Sequence, residues 1–215
     1  MKAKLFSLLL VTIFSSTIVL GQKISFGILG GVNFQNLNGT DTQDDKLELD
    51  LLTGFHAGVN VQIPVAPDFV FQHGLLFSIK GAVDKSGSED TKIKLSCLEL
   101  PLNIVYKGLV GKGHVMIGFG PYLGYAIGGK IIEGDVKTDI EFKNETEANG
   151  TGFATFKRFD MGANIFAGYE LENGIFFQLD TQLGLLKINP DYTNVTDDKT
   201  SIKNTGFGLS VGYRF

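Results

Sequence analysis

The sequence predicts an all-β fold, an eight-stranded antiparallel up-and-down transmembrane β-barrel. Three observations predict it. Eight segments alternate bulky apolar with small or polar residues at a two-residue period, their connections alternate short and long, and after residue 21 no apolar run reaches the ~18 residues of a spanning helix.

The chain opens with MKAKLFSLLLVTIFSSTIVLG. Lys2 and Lys4 precede an apolar stretch from Leu5 to Leu20, and small Gly21 follows, the order of a secretory signal peptide. The expected plan is a signal at 1–21, cleaved after Gly21, and one barrel domain at 22–215. Gln22 stands where a lipoprotein would carry cysteine, and the sole cysteine, Cys97, has no partner for an internal disulfide. Without Lys2 and Lys4 the chain has 17 basic residues against 23 acidic, a net charge of −6. Nucleic acid is not an expected partner, because phosphate binding needs concentrated positive charge.

The first segment sets Phe26, Ile28, Val32 and Phe34 against Ser25, Gly27, Gly31, Asn33 and Gln35, with Leu29 out of phase. The second sets Phe55, Ala57, Val59, Val61 and Ile63 against His56 and Asn60; the third sets Phe69, Phe71, Leu75, Phe77 and Ile79 against Gln72, Gly74, Ser78 and Lys80. In the fourth, Leu98, Leu100, Leu102, Ile104 and Tyr106 oppose Glu99 and Asn103. In the fifth, Val115, Ile117, Phe119, Leu123, Tyr125 and Ile127 oppose Gly118, Gly120, Tyr122, Gly124 and Gly128. The sixth sets Phe159, Met161, Ile165 and Tyr169 against Arg158, Asp160, Gly162 and Asn164. The seventh sets Ile175, Phe177, Leu179, Leu183 and Leu185 against Gln178, Asp180 and Gln182. The last sets Phe207, Leu209, Val211, Tyr213 and Phe215 against Gly206, Gly208, Ser210, Gly212 and Arg214. Short connections, PVAP near Pro64, GLVGKG from Gly108 and ENG at Glu172–Gly174, are expected on the periplasmic side, and long polar ones outside. The ENG turn suits a three-residue hairpin with Gly174 in the left-handed region.

A soluble barrel with the same strand count would hold its apolar phase inside. Residue size excludes it here: an eight-stranded lumen is narrow, and glycine crowds the polar phase while phenylalanine, leucine and isoleucine fill the other. The bulky phase therefore faces lipid. Tyr106, Tyr125, Tyr169 and Tyr213 share that phase, where interfacial girdles place amphipathic rings.

Taken in order, GILGGVNFQNL, TGFHAGVNVQIPV, LLFSIKGA, LELPLNIVYK, GFGPYLGYAIGGK, RFDMGANIFAGYEL, LDTQLGLLKI and GYRF make the chain resemble the outer-membrane β-barrel domain family of Bacteroidota, the porin-family or PorT-like proteins. The resemblance covers nearly all of the chain after residue 21 and implies outer-membrane location and barrel fold more firmly than an activity. Tyr213 and Phe215 resemble the carboxyl-terminal aromatic signal read by outer-membrane assembly machinery. That machinery and the lipid bilayer are the partners implied.

Candidate chemistry is sparse. Glu99, Asp160 and Asp180 fall on the inward phase, where carboxylates need solvent or a cation. Lys80 and Arg158, with Lys94 and Lys130, lie on the outer halves of strands to supply one. A polar plug of ion pairs is the preferred reading over an ion path. His56 and Ser78 are too little for a hydrolase without an orienting carboxylate and a nucleophile elbow, so no catalytic residue is expected. No metal or cofactor site is expected either: DTQDDKLELD lacks the glycine of a calcium loop. The long loops hold 17 of the 23 acids, giving a solvated surface that could engage an envelope protein. The loop from Glu133 to Thr155 is long enough either to recruit such a partner or to fold over the mouth. Two functions follow: a structural or interaction protein of the envelope, or a narrow pore or small-solute binder.

Overall fold

Antiparallel pairing runs without a break around a ring. The computed structural model describes residues 23–41, 44–147, 154–196 and 198–215; the expected signal at 1–21 lies outside them. In chain order the strands are β1 (Ser25–Thr40), β2 (Asp50–Ala66), β3 (Phe69–Asp84), β4 (Thr91–Val110), β5 (Gly113–Glu133), β6 (Val136–Asp139), β7 (Glu141–Phe142), β8 (Glu145–Thr146), β9 (Thr155–Phe156), β10 (Phe159–Glu170), β11 (Ile175–Gly184), β12 (Asp191–Tyr192) and β13 (Ser201–Arg214). Eight of them, β1 to β5, β10, β11 and β13, pair each with the next, and β13 pairs with β1 to close the ring. Closure satisfies every backbone ladder internally, which hydrocarbon demands.

The expected segments are all strands, and the bulky phase points outward. Phe119 is 61% exposed, and Phe26, Ile165, Leu179 and Leu209 are each more than half exposed, around the ring. The turn residues follow backbone chemistry: Gly111 and Gly174 take φ of 63° and 87°, the left-handed values that glycine adopts freely. One connection differs from expectation. Pro64 and Val65 belong to β2, which runs through a register irregularity to Ala66, so the turn is shortened to Pro67 and Asp68.

Glycine occupies the inward phase because the opposing strand needs the space. Gly118 pairs in register with Phe166, Gly212 with Phe176, Gly168 with Met116 and Gly162 with Tyr122. A methyl group on Gly162 would stand 2.7 Å from Tyr122 Cε1. The expected inward phase is small or polar and crowded with glycine; the lumen also admits the large apolar side chains of Met116, Phe166 and Phe176, each seated on a glycine. Leu29, Val70, Val105, Met116, Phe166 and Phe176 form a buried apolar cluster inside the short-turn half.

A second feature was not anticipated. Beyond the lipid-facing band the strands continue with inverted polarity: on β4, Ile93, Leu95 and Cys97 are buried inside, while Lys92 and Lys94 face out. They join Leu37, Ala82, Ala126 and Ile202 in a core closed by loop residues Ile140, Phe156 and Ile188. Ile140 and Phe156, from the described parts of the long connection between β5 and β10, pack over the mouth.

Candidate functional site: the lumen

Three polar tiers, with the apolar cluster between the last two, fill the barrel interior below the apolar cap. The first is charged. Lys80 on β3 is fully buried, and its Nζ lies 3.2 Å from Asp160 Oδ2 and 3.4 Å from Glu99 Oε1. Glu99 and Asp160 flank Gly124, which is in register with both, so the missing side chain leaves room for the ammonium between two carboxylates. Tyr122 OH and Asn204 Nδ2 donate to the same Asp160 oxygen at 3.1 and 2.9 Å, and Gln182 Nε2 donates to Glu99 Oε2 at 2.7 Å. The ammonium also stands 4.3 Å from the Tyr122 ring centroid. One buried cation shared by two hydrogen-bonded carboxylates is the arrangement in which Coulomb attraction offsets desolvation.

The middle tier is a small cavity of about 50 Å³ among Asn33, Gln35, His56, Asn103, Asn164 and Asp180. Asn33 Nδ2 donates to Ser78 Oγ at 3.0 Å, and His56 Nε2 shares a 2.7 Å hydrogen bond with Ser210 Oγ. Asn33 Oδ1, Gln35 Oε1, Asn103 Oδ1 and Asn164 Nδ2 are buried without protein partners. A polar cavity of that size holds a few waters, which satisfy such groups.

The last tier closes the short-turn end. Glu170 accepts from Lys107 Nζ at 2.8 Å and from Arg214 Nε at 3.0 Å. Arg214 Nη1 also donates to Asn60 Oδ1 at 2.6 Å, and Lys107 Nζ reaches Gln62 Oε1 at 3.2 Å. Phase alone would have found this tier, since Lys107, Glu170 and Arg214 continue the inward positions of Glu99, Asp160 and Ser210.

Of the residues expected in a lumen network, Lys80, Glu99 and Asp160 meet. Asp180 borders the same cavity but makes no ion pair among the described residues. Arg158 is a correction. It lies outside at the rim, donating from Nη1 to Ala126 O at 2.8 Å with its guanidinium 4.4 Å from the Phe142 ring centroid. Lys94 and Lys130 are also outside. Between the pairs Ser96–Gly128 and Cys97–Ala126, β5 carries one extra residue, Ile127. That bulge exchanges inward for outward positions beyond it. Among outward rings, Tyr106 packs on Phe69, Tyr125 on Phe159, and Tyr213 edge-on to Phe215 at 4.9 Å between centroids.

Outside the membrane band, backbone bonds knit the loops. Lys157 N donates to Ile188 O, Ile188 N to Ile202 O, and Asp191 N to Asn144 O. Asp191 accepts from Lys187 at 2.6 Å and Lys157 at 3.0 Å, and these hydrogen bonds hold its carboxyl below the usual aspartate range.

A closed sheet with an apolar outer belt, a packed polar interior and no edge defines a transmembrane β-barrel. The family model described as outer membrane protein beta-barrel domain matches residues 16–189, and the chain belongs to that family. Its location is the bacterial outer membrane. Comparison with curated protein sequences gives no match. Among solved structures, the chain is similar to Neisserial surface protein A, at 11% identity and TM-score 0.46, over 90% of this chain and 100% of that one. Ail, the attachment invasion locus protein of Yersinia pestis, is similar at 10% identity and TM-score 0.42, over 90% and 100% of the two chains. The outer membrane protease OmpT from Escherichia coli is similar at 14% identity and TM-score 0.42, over 93% and 99%. At these identities nothing about activity passes from them to this chain.

Proposed function

We propose that the protein is a non-conducting, non-enzymatic barrel with a structural or interaction role in the envelope, and that it belongs to the Bacteroidota PorT-like branch of its family. The observation that carries the first reading is the continuous filling of the lumen: apolar cap, Lys80 tier, small cavity, apolar cluster and Glu170 tier lie one after another. An ion crossing it would have to displace buried charge pairs, each held by several hydrogen bonds. The motifs from GILGGVNFQNL to GYRF support the second. Catalysis has little to work with, since His56 pairs with Ser210, Ser78 pairs with Asn33, and all sit inside. The acidic loops offer a surface to an envelope protein, and Tyr213 with Phe215 to the assembly machinery. Reconstitution in planar bilayers tests the non-conducting reading. The expected trace is flat, and a steady ion-selective current would reverse it in favour of the narrow pore. Co-purification from native outer membranes tests the interaction role, with a stoichiometric protein partner the expected result.

A further inference from the structure

On one side of the barrel, just beyond the lipid-facing belt, four lysines share the outward face of β4, β5 and β6, whose strands carry one acid at an outward position. Lys94 on β4 is directly opposite Lys130 on β5, and one row further out Lys92 is opposite Ile132, which is opposite Lys137 on β6. Asp139, opposite Lys130, is that acid, and the Glu89 carboxylate from the adjoining loop stands against Gly134 at the hairpin tip. None of the four lysines makes an ion pair among the described residues. On the other flank Lys94 is opposite Gly81, which has no side chain to cover it. Like charges directly opposed on a sheet repel, and the Ile127 bulge creates this opposition by turning Lys130 outward. In a chain whose loops are otherwise acidic, so concentrated a cationic face calls for an anion.

Height identifies the source of that anion. Lys94 lies four residues beyond Leu98, which is opposite Tyr125, the outward ring that packs on Phe159. Four residues rise about 13 Å along a strand, or about 9 Å normal to the membrane at the usual tilt. That is the headgroup layer of the leaflet on the long-loop side. The face is continuous with the apolar belt below it, so a molecule with both a phosphate and acyl chains meets both surfaces.

We infer that Lys94 and Lys130, with Lys92 and Lys137 behind them, bind the phosphate of a phosphorylated membrane lipid whose acyl chains lie on the belt beneath. The bond is charge-assisted, from ammonium donors to phosphate oxygens. The full chain in zwitterionic nanodiscs doped with a bisphosphorylated glycolipid, or with its dephosphorylated form, tests this by native mass spectrometry of retained lipid. The native chain is expected to retain the phosphorylated form selectively, and the double variant K94Q/K130Q about tenfold less. K85Q/K143Q, which removes two exposed loop lysines, should retain it as the native chain does, and SDS-resistant migration checks that each variant folds. Unchanged retention in K94Q/K130Q, or an equal loss in K85Q/K143Q, would overturn the inference. Displacement of the lipid by millimolar inorganic phosphate would also overturn it, since the face would then be a free-anion site.

Discussion

Lys80 shows at residue scale how a hydrocarbon-embedded barrel tolerates charge. Its ammonium serves two carboxylates, so replacing it with an isosteric apolar chain leaves Glu99 and Asp160 buried and uncompensated. Lys80→Met is expected to cost about 3–5 kcal/mol, read as a lower urea midpoint by circular dichroism. Adding Glu99→Gln and Asp160→Asn should restore most of it; no recovery would show that the loss does not come from the two uncompensated carboxylates. Asp180→Asn, which breaks no ion pair, should lower the midpoint less than Lys80→Met does. A separate test concerns space. Gly118→Val drives a side chain into Phe166 and is expected to cost about 1–3 kcal/mol. Combined with Phe166→Ala it should show non-additivity of about 0.5–3 kcal/mol, and simple additivity would mean the two do not share the space. The Lys80 tier was legible in the sequence because Glu99, Asp160 and Lys80 all obey one alternation within strands that keep their phase. Arg158 was misplaced because it sits one position before β10 begins, where alternation no longer decides which way a side chain points.

At element scale, the phase of a strand is a local property that one residue can reset. The Ile127 bulge is why Ile131 packs near the inner core and Lys130 does not, and no two-residue rule read across it gives the right faces. The expected strands accordingly stopped near the aromatic band, whereas β5 runs for 21 residues because its outer third buries a different, apolar face. The knitted loops were equally illegible, since β7 pairs with β9 inside one loop and β8 with β12 across two, both in parallel and with only two residues each. Their electrostatic tie carries a pH dependence. The folded-state carboxyl of Asp191 titrates below its unfolded value because Lys187 and Lys157 bond its charged form. Its contribution is therefore present above the unfolded value of about 4 and is lost as pH falls through the lower folded value. Amide exchange at Asp191 and Thr193, corrected for intrinsic rates, should be flat from neutral pH to about 5 and accelerate below about 4. Acceleration beginning near pH 6 would point to a different titrating group.

Across the whole molecule, two closures are stacked, and they differ in what they need. From Ile117, opposite Tyr106 of the lower girdle, to Tyr125 of the upper one, β5 rises eight residue steps, which at a tilt near 45° span about 19 Å, within the ~25 Å apolar band of outer-membrane barrels. Everything inside that height is closed by the strands' own side chains. The outer closure is different, because Ile140 and Phe156 come from the long loop and Ile188 from the last one. Replacing residues 134–157 with a short turn removes two of those apolar lids while leaving Lys80, Glu99, Asp160, Glu170 and Arg214 in place. The shortened protein is expected to fold and to insert, with a lower thermal midpoint from the uncovered core of Leu37, Ile93, Leu95 and Ile202. Its bilayer current should stay at the baseline of the native chain. A steady channel in the shortened form would mean that the loop is the gate, and that the charged tiers conduct once it is gone.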